Sequence, residues 1–345
     1  MPKSPLALAG LLLLTGAAAA QIKVSVQLVN VVATVTDSRG RYVAGLKALD
    51  FKIMEDGSPQ EIAHFSHSSD VPVSVGIVLD SSTSMERKIL TATRAVERFI
   101  RDIHEDDDIF LMTFDQSVRV RQDFTSDRER LASALDKVRL SPGTSLYDGV
   151  LAGVEMLRKG KHPKKAILLI SDGVDTTSNR DYSRARQAVR ESEMLVYALG
   201  IAPDAAAREP MSERVPTIIV PPARSPTTSP FPSPFPSPFP FPVPGRRQFP
   251  GPIGGSTTSD LDTVDMRVLE AFADDSGGKA WLIRADNRRD RIQDALDEIA
   301  DELRNQYSIG YYPQHDLKDG KWHRIEVIPK NPDYDIRYKQ DYLGK

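Results

Sequence analysis

The chain has 345 residues, with 45 Lys and Arg against 48 Asp and Glu for a formal net charge of −3. That length suits two domains, and that charge gives a nucleic-acid or polyanion binder no support. There are no cysteines, which excludes disulfides and thiolate zinc sites and leaves stability to the size of the core.

Residues 1–20 read as a targeting segment and not as part of the fold. Lys3 supplies a positive start, "LALAGLLLLTG" an apolar stretch too short for an ordinary transmembrane helix, and "AAAA" small residues before Gln21. This is the pattern of a cleaved secretory signal, so the protein is expected to be exported, to the periplasm or the medium. Residues 21–69 are expected to be β-rich, an immunoglobulin-like sandwich candidate. "IKVSVQLVNVVATVT" alternates in part and is rich in valine, and Asp56-Gly57 is a hairpin signal.

The pattern changes after residue 70. "VPVSVGIVLD" is a near-continuous apolar run, as expected of a parallel strand covered on both faces. A helix is expected over 84–103, from Ile89, Ala92, Val96, Phe99 and Ile103. "DIFLMTFD" and "VRVRQDF" read as strands separated by a turn at Gln116, and helices are expected over 127–138 and 147–159. "KKAILLISD" is a further buried strand, 180–192 a polar helix, and "MLVYALGI" another strand. The acidic run "HEDDD" at 104–108 lacks the calcium-loop pattern and reads as a solvated helix-to-strand loop.

Fifteen of the 25 prolines lie between Pro210 and Pro252. This proline-rich insertion, 207–260, reads as extended or unstructured, because proline lacks the donor that strands and helix interiors need. The α/β pattern resumes with a helix over 263–275, the strand "KAWLIRA" after Gly277-Gly278, and a helix over 288–305 with Asn287 as its cap. The insertion therefore interrupts one domain, 70–306. "QYSIGYYP", "KWHRIEVIP" and "YDIRYKQDYL" make residues 307–345 β-rich again. Those strands either join the N-terminal β region or fold separately. The fold class is α/β: a doubly wound, mostly parallel sheet with a small all-β domain from N- and/or C-terminal strands.

Oxygen-bearing side chains gather where such a sheet binds ligands, outside the carboxyl ends of its strands. Asp80, Ser82 and Ser84 follow the first parallel strand, Asp172 ends another, and Thr144 lies in a loop before a helix. Asp80 and Ser84 alone would also serve as helix caps. With Thr144 and Asp172 they make an all-oxygen set suited to a hard divalent cation, Mg²⁺ first, with Mn²⁺ or Ca²⁺ as alternatives.

These residues resemble the metal-ion-dependent adhesion site of von Willebrand factor type A domains, whose pattern is D-x-S-x-S followed by a distant threonine and a distant aspartate. Asp80-Ser81-Ser82-Thr83-Ser84, Thr144 and Asp172 match it. The resemblance implies that the serines and threonine ligate the ion directly or nearly so, and that the aspartates ligate it or hold its waters. The flanking β segments resemble exported acidobacterial proteins related to the same family. The resemblance implies metal-dependent binding of a protein partner that presents an Asp or Glu carboxylate, with no nucleic acid. The alternative is a structural or assembly protein of the cell envelope in which the ion only stabilises the fold.

No enzyme is expected. G-x-S-x-G, H-E-x-x-H and G-x-x-x-x-G-K-[ST] are all missing from the sequence, and no histidine falls near Ser82 or Ser84. His64 and His67, three apart in a β-like segment, read as surface or interface residues.

Overall fold

The computed structural model describes residues 28–67, 71–102, 104–202, 264–284, 290–315 and 317–345. The signal segment, the proline-rich insertion and Asn287 lie outside them. In chain order the strands and helices begin with β1 (Val29–Thr36), β2 (Phe51–Glu55), β3 (Ser58–Gln60), β4 (Ile62–His67) and β5 (Val73–Asp80). Next come α1 (Ile89–Asp102), β6 (Asp108–Phe114), β7 (Val118–Thr125), α2 (Arg128–Leu135) and α3 (Leu146–Leu157). They are followed by β8 (Lys164–Ser171), α4 (Tyr182–Arg190), β9 (Leu195–Ala202), α5 (Met266–Ser276) and β10 (Lys279–Arg284). The described chain closes with α6 (Asp290–Arg304), β11 (Gln306–Tyr311), β12 (Trp322–Pro329), β13 (Asp335–Tyr338) and β14 (Asp341–Leu343).

The fold is α/β, built on a central six-stranded sheet of order β10-β9-β8-β5-β6-β7. All pairings are parallel except β6 with the edge strand β7, which a short turn joins as an antiparallel hairpin. The continuous apolar run of β5 follows from this position. Val73, Val75, Ile77 and Leu79 pack with Val96, Phe99 and Ile100 of α1 and Leu296, Ile299 and Leu303 of α6. Val78 faces the opposite side, with Val150 and Val154 of α3. Each such side chain contributes about 1.5–3 kcal/mol on full burial. Gly153 lets α3 lie close, since a Cβ there would stand 2.9 Å from Val78 Cγ2.

Strands from both ends of the chain make two further four-stranded sheets, β13-β1-β11-β4 and β14-β12-β2-β3. β1 pairs antiparallel with both β11 and β13, and β2 with β12. Val31, Val35, Ile53, Tyr307, Ile309 and Val327 share the core between these sheets. Ionic and polar contacts fasten this layer to the α/β layer. The fully buried Glu302 of α6 accepts from Thr34 Oγ1 (3.2 Å) and Tyr197 Oη (2.9 Å) and pairs with Arg337. Arg190 of α4 lies over the Trp322 ring at 4.1 Å.

Three local expectations change. The helix expected from residue 84 starts at Ile89, after a 3₁₀ turn at Thr83–Met85. A parallel bridge holds the chain there before a helix can propagate: Ser141 N–H donates to Ser81 O (3.0 Å) and Thr83 N–H to Ser141 O (3.1 Å). "YDIRYKQDYL" forms two strands in different sheets, β13 beside β1 and β14 beside β12. The acidic run before β6 is not simply solvated. Asp107 is fully buried, accepts Val73 N–H (2.8 Å) and pairs with Arg304, and Asp108 accepts Ser74 Oγ (2.6 Å).

Candidate metal centre

β5 and β8 are neighbours in register, so Asp80, the last residue of β5, and Asp172, the residue after β8, emerge side by side. Both are buried. Asp80 Oδ1 accepts Ser82 N–H (2.9 Å) and Oδ2 accepts Ser171 Oγ (2.7 Å). Burial, reinforced by the Asp172 charge, pushes the Asp80 carboxyl up to about 7. The Ser82 and Ser84 hydroxyls meet at 2.8 Å. Asp172 Oδ1 accepts Val174 N–H (3.2 Å), and Oδ2 receives the Lys88 ammonium at 2.9 Å.

The loop of Thr144 is fastened on three sides. Thr144 N–H donates to Thr176 Oγ1 (2.9 Å), and its carbonyl accepts Thr176 N–H (2.9 Å) and Thr177 N–H (3.1 Å). Ser145 donates through N–H (2.7 Å) and Oγ (2.6 Å) to Asp115 O after β6, and Ser141 holds the loop after β5. The fold thus brings Asp80, Ser82, Ser84 and Asp172 together by side chain. Thr144 is tied by its backbone to Thr176 and Thr177 of the loop after β8. Among the described residues its hydroxyl makes no hydrogen bond to the other four.

The donor set is chemically uniform. Two buried carboxylates and a pair of hydroxyls hydrogen-bonded to each other offer only oxygen, which fits a hard divalent cation and suits zinc or copper poorly.

A family model described as von Willebrand factor type A domain matches residues 75–174, the segment from β5 to the loop after β8. The chain carries a von Willebrand factor type A domain. Similarity extends to the uncharacterized protein sll0103 of Synechocystis sp., 27% identical over 139 residues, covering 39% of this chain and 33% of that one. The chain therefore spans about a third of the length of that relative. Among solved structures, the von Willebrand factor type A protein from Catenulispora acidiphila is 11% identical with a TM-score of 0.48, covering 86% of this chain and 72% of that chain. BatB from Bacteroides thetaiotaomicron is 16% identical with a TM-score of 0.43, covering 67% and 98%. The vWF domain of the type V pili tip protein Mfa5 from Porphyromonas gingivalis is 27% identical with a TM-score of 0.30, covering 31% and 39%.

Sequence reasoning missed three groups around the type A domain's site: Lys88, Ser171 and Asp115. Ser171 adjoins Asp172 in "SDG" and could have been read with it. Lys88 looks like an ordinary lysine at a helix start, and only the inward turn of residues 81–88 buries it. No described helix is long and apolar enough to cross a membrane.

A second cluster lies outside the matched segment. Glu55, His315 and His323 bring donor atoms within 4.8 Å of one another. The two imidazoles stack at 3.8 Å with planes 14° apart, so their in-plane lone pairs run in separate, nearly parallel planes and do not converge on one ion. Instead His323 Nδ1 faces Asp56 Oδ2 (2.8 Å) and Nε2 faces both Asp319 oxygens (3.2 Å). Ionised carboxylates only accept, so this pair favours the doubly protonated, imidazolium form of the ring. Burial opposes that charge, but the hydrogen bonds to Asp56 and Asp319 outweigh it and raise the His323 pKa. Glu55 accepts Tyr311 Oη (3.0 Å) and Tyr342 Oη. His64 and His67 lie on β4, where His67 packs on Tyr307 at 4.6 Å.

Proposed function

We propose that this type A domain is the binding module of an exported protein, holding one divalent cation that takes a carboxylate from an Asp or Glu of a protein partner. Mg²⁺ is the first choice, with Mn²⁺ and Ca²⁺ as alternatives. The observation that carries this reading is the Ser82–Ser84 hydroxyl pair, 2.8 Å apart, beside two buried aspartates at the carboxyl ends of adjacent strands. When bound, such a cation supplies positive charge and a coordination position that an anionic oxygen can complete.

The chain's own residues divide the work. Asp80 and Asp172 carry the negative charge. Ser171 and the Ser82 N–H fix the Asp80 carboxylate, and Val174 N–H fixes one oxygen of Asp172. Ser82 and Ser84 set two hydroxyl oxygens 2.8 Å apart. Thr83 is exposed and Ser84 half-buried, so a partner group approaches over this turn. The Ser82 and Ser84 hydroxyls bond to each other, which suits two oxygens that share one cation. An array of Asp- and Glu-containing peptides, probed in Mg²⁺ and in chelator, tests this. Capture in Mg²⁺ that is lost in chelator and in Asp172→Ala is expected; capture indifferent to the ion contradicts it.

The second reading is structural: the β-sandwich and the proline-rich insertion make the contacts and the ion only stabilises the α/β layer. It draws on the pairing of strands from both chain ends. Deleting residues 221–252 is expected to be harmless under the first reading and disruptive under the second.

A further inference from the structure

One buried charge at the centre has no part in the reading above. Lys88 is 1% exposed, and its Nζ lies 2.9 Å from Asp172 Oδ2. Lysine is almost never buried to this degree without a partner. Its place is fixed by the backbone: Lys88 N–H donates to Met85 O (2.8 Å), and Lys88 O accepts Thr91 N–H and Ala92 N–H (3.0 Å each), the first turn of α1. The ammonium is thus built into the junction between the Ser82–Ser84 turn and the helix.

Its neighbours show why it is there. All four oxygens of Asp80 and Asp172 accept a hydrogen bond: from Ser82 N–H, Ser171 Oγ, Val174 N–H and Lys88 Nζ. Of these donors only Lys88 brings a full charge. Without a cation, two buried carboxylates side by side repel each other and lose hydration.

We propose that Lys88 is a built-in counter-cation of the centre. The ammonium neutralises Asp172 and so holds the loops after β5 and β8 together when no divalent ion is bound. The inference rests on the reading of the centre as a cation site. Two consequences follow from charge alone. A divalent ion entering beside Lys88 meets a like charge and binds less tightly than two aspartates would otherwise allow. Once bound, it leaves the centre with one net positive charge, whereas the same aspartates without the lysine would leave it neutral. The lysine therefore trades ion affinity for attraction of an anionic partner group.

The test is calorimetric titration of Mn²⁺ into the full chain, with thermal unfolding in chelator and in Mn²⁺, for wild type, Lys88→Met and Lys88→Gln. Wild type is expected to bind Mn²⁺ and to stay folded in chelator, losing only the stabilisation that the bound ion itself supplies. Both variants are expected to bind Mn²⁺ about tenfold to a hundredfold more tightly, as for removal of a unit charge a few ångströms away. They should also need Mn²⁺ for stability. Lys88→Gln keeps a donor for Asp172 without the charge and serves if Lys88→Met does not fold in chelator. Wild-type binding with no tightening in either variant overturns the role of Lys88 alone. So does failure of both variants to fold even in Mn²⁺, because the ion then cannot replace the ammonium. No binding by wild type or variants overturns the cation reading itself.

Discussion

Asp80 lies at the meeting point of burial and charge, and its behaviour with pH is the sharpest residue-scale expectation. Its folded pKa, raised to about 7 from 3.8, means that the unfolded chain releases this proton more readily. Without an ion, the stability it contributes is therefore present at low pH and declines as pH rises from 3.8 through about 7. A divalent ion needs the carboxylate, so Mn²⁺ affinity should weaken by roughly tenfold per pH unit as pH falls below that value, measurable by titration at a series of pH values. His323 runs in the same sense in its own layer, at higher pH. Its folded pKa is raised from 6.5, so its tie to Asp56 and Asp319 is fully present below 6.5 and lost as pH rises through the folded value. Asp56 and Asp319 are lowered from 3.8, chiefly by the backbone N–H groups of Arg324 and Lys321, and their share is lost only as pH falls below that. Glu55, His315 and Tyr342 also face this cluster. Thermal unfolding of His323→Gln should show a shallower decline in stability above pH 6.5 than is expected of wild type; an unchanged profile would contradict the assignment. Neither histidine tie was legible in the sequence. His315 and His323 lie eight residues apart across a turn and meet Glu55 and Asp56 only through the pairing of β12 with β2.

At the scale of elements, the loops that carry the centre depend on backbone that tolerates no substitute. Gly173 has φ +79°, and a Cβ there would stand 2.4 Å from Asp265 O. Gly173→Ala should cost about 1–3 kcal/mol in chemical denaturation. It should also weaken ion binding, because Asp265 N–H donates to Asp172 O (2.8 Å) across the same contact. The strand-loop-helix order around these loops was readable, since continuous apolar runs and helical spacing reported the two covered faces of β5, β6, β8 and β9. Helix starts were less so. Ile89 and not Ser84 opens α1, because the bridge between residues 82 and 141 is a tertiary contact with no local signature. Asp127, whose Oδ1 caps α2 by accepting Glu129 N–H (3.0 Å) and Arg130 N–H (3.1 Å), was the kind of start a sequence does reveal.

Over the whole molecule, strands from opposite chain ends interleave, and Glu302 joins the layers. This carboxylate is fully buried, and Thr34, Tyr197 and Arg337 meet on it from β1, β9 and β13. Glu302→Ala should destabilise the protein by about 3–5 kcal/mol, because it strands buried polar groups in both layers. It should also split a single unfolding transition into two in calorimetry. The oxygen set at Asp80, Ser82, Ser84 and Asp172 was legible because each residue sits at a strand end or in the turn after it, where topology alone brings them together. Lys88 was not, since its burial depends on the path of one turn. The most direct test of the cation centre is Mn²⁺ titration by calorimetry of chelator-stripped protein beside Asp80→Ala. Saturable binding at one site, lost in a variant that stays folded, is the expected result. Equal binding by both proteins, or none by either at millimolar ion, would contradict it.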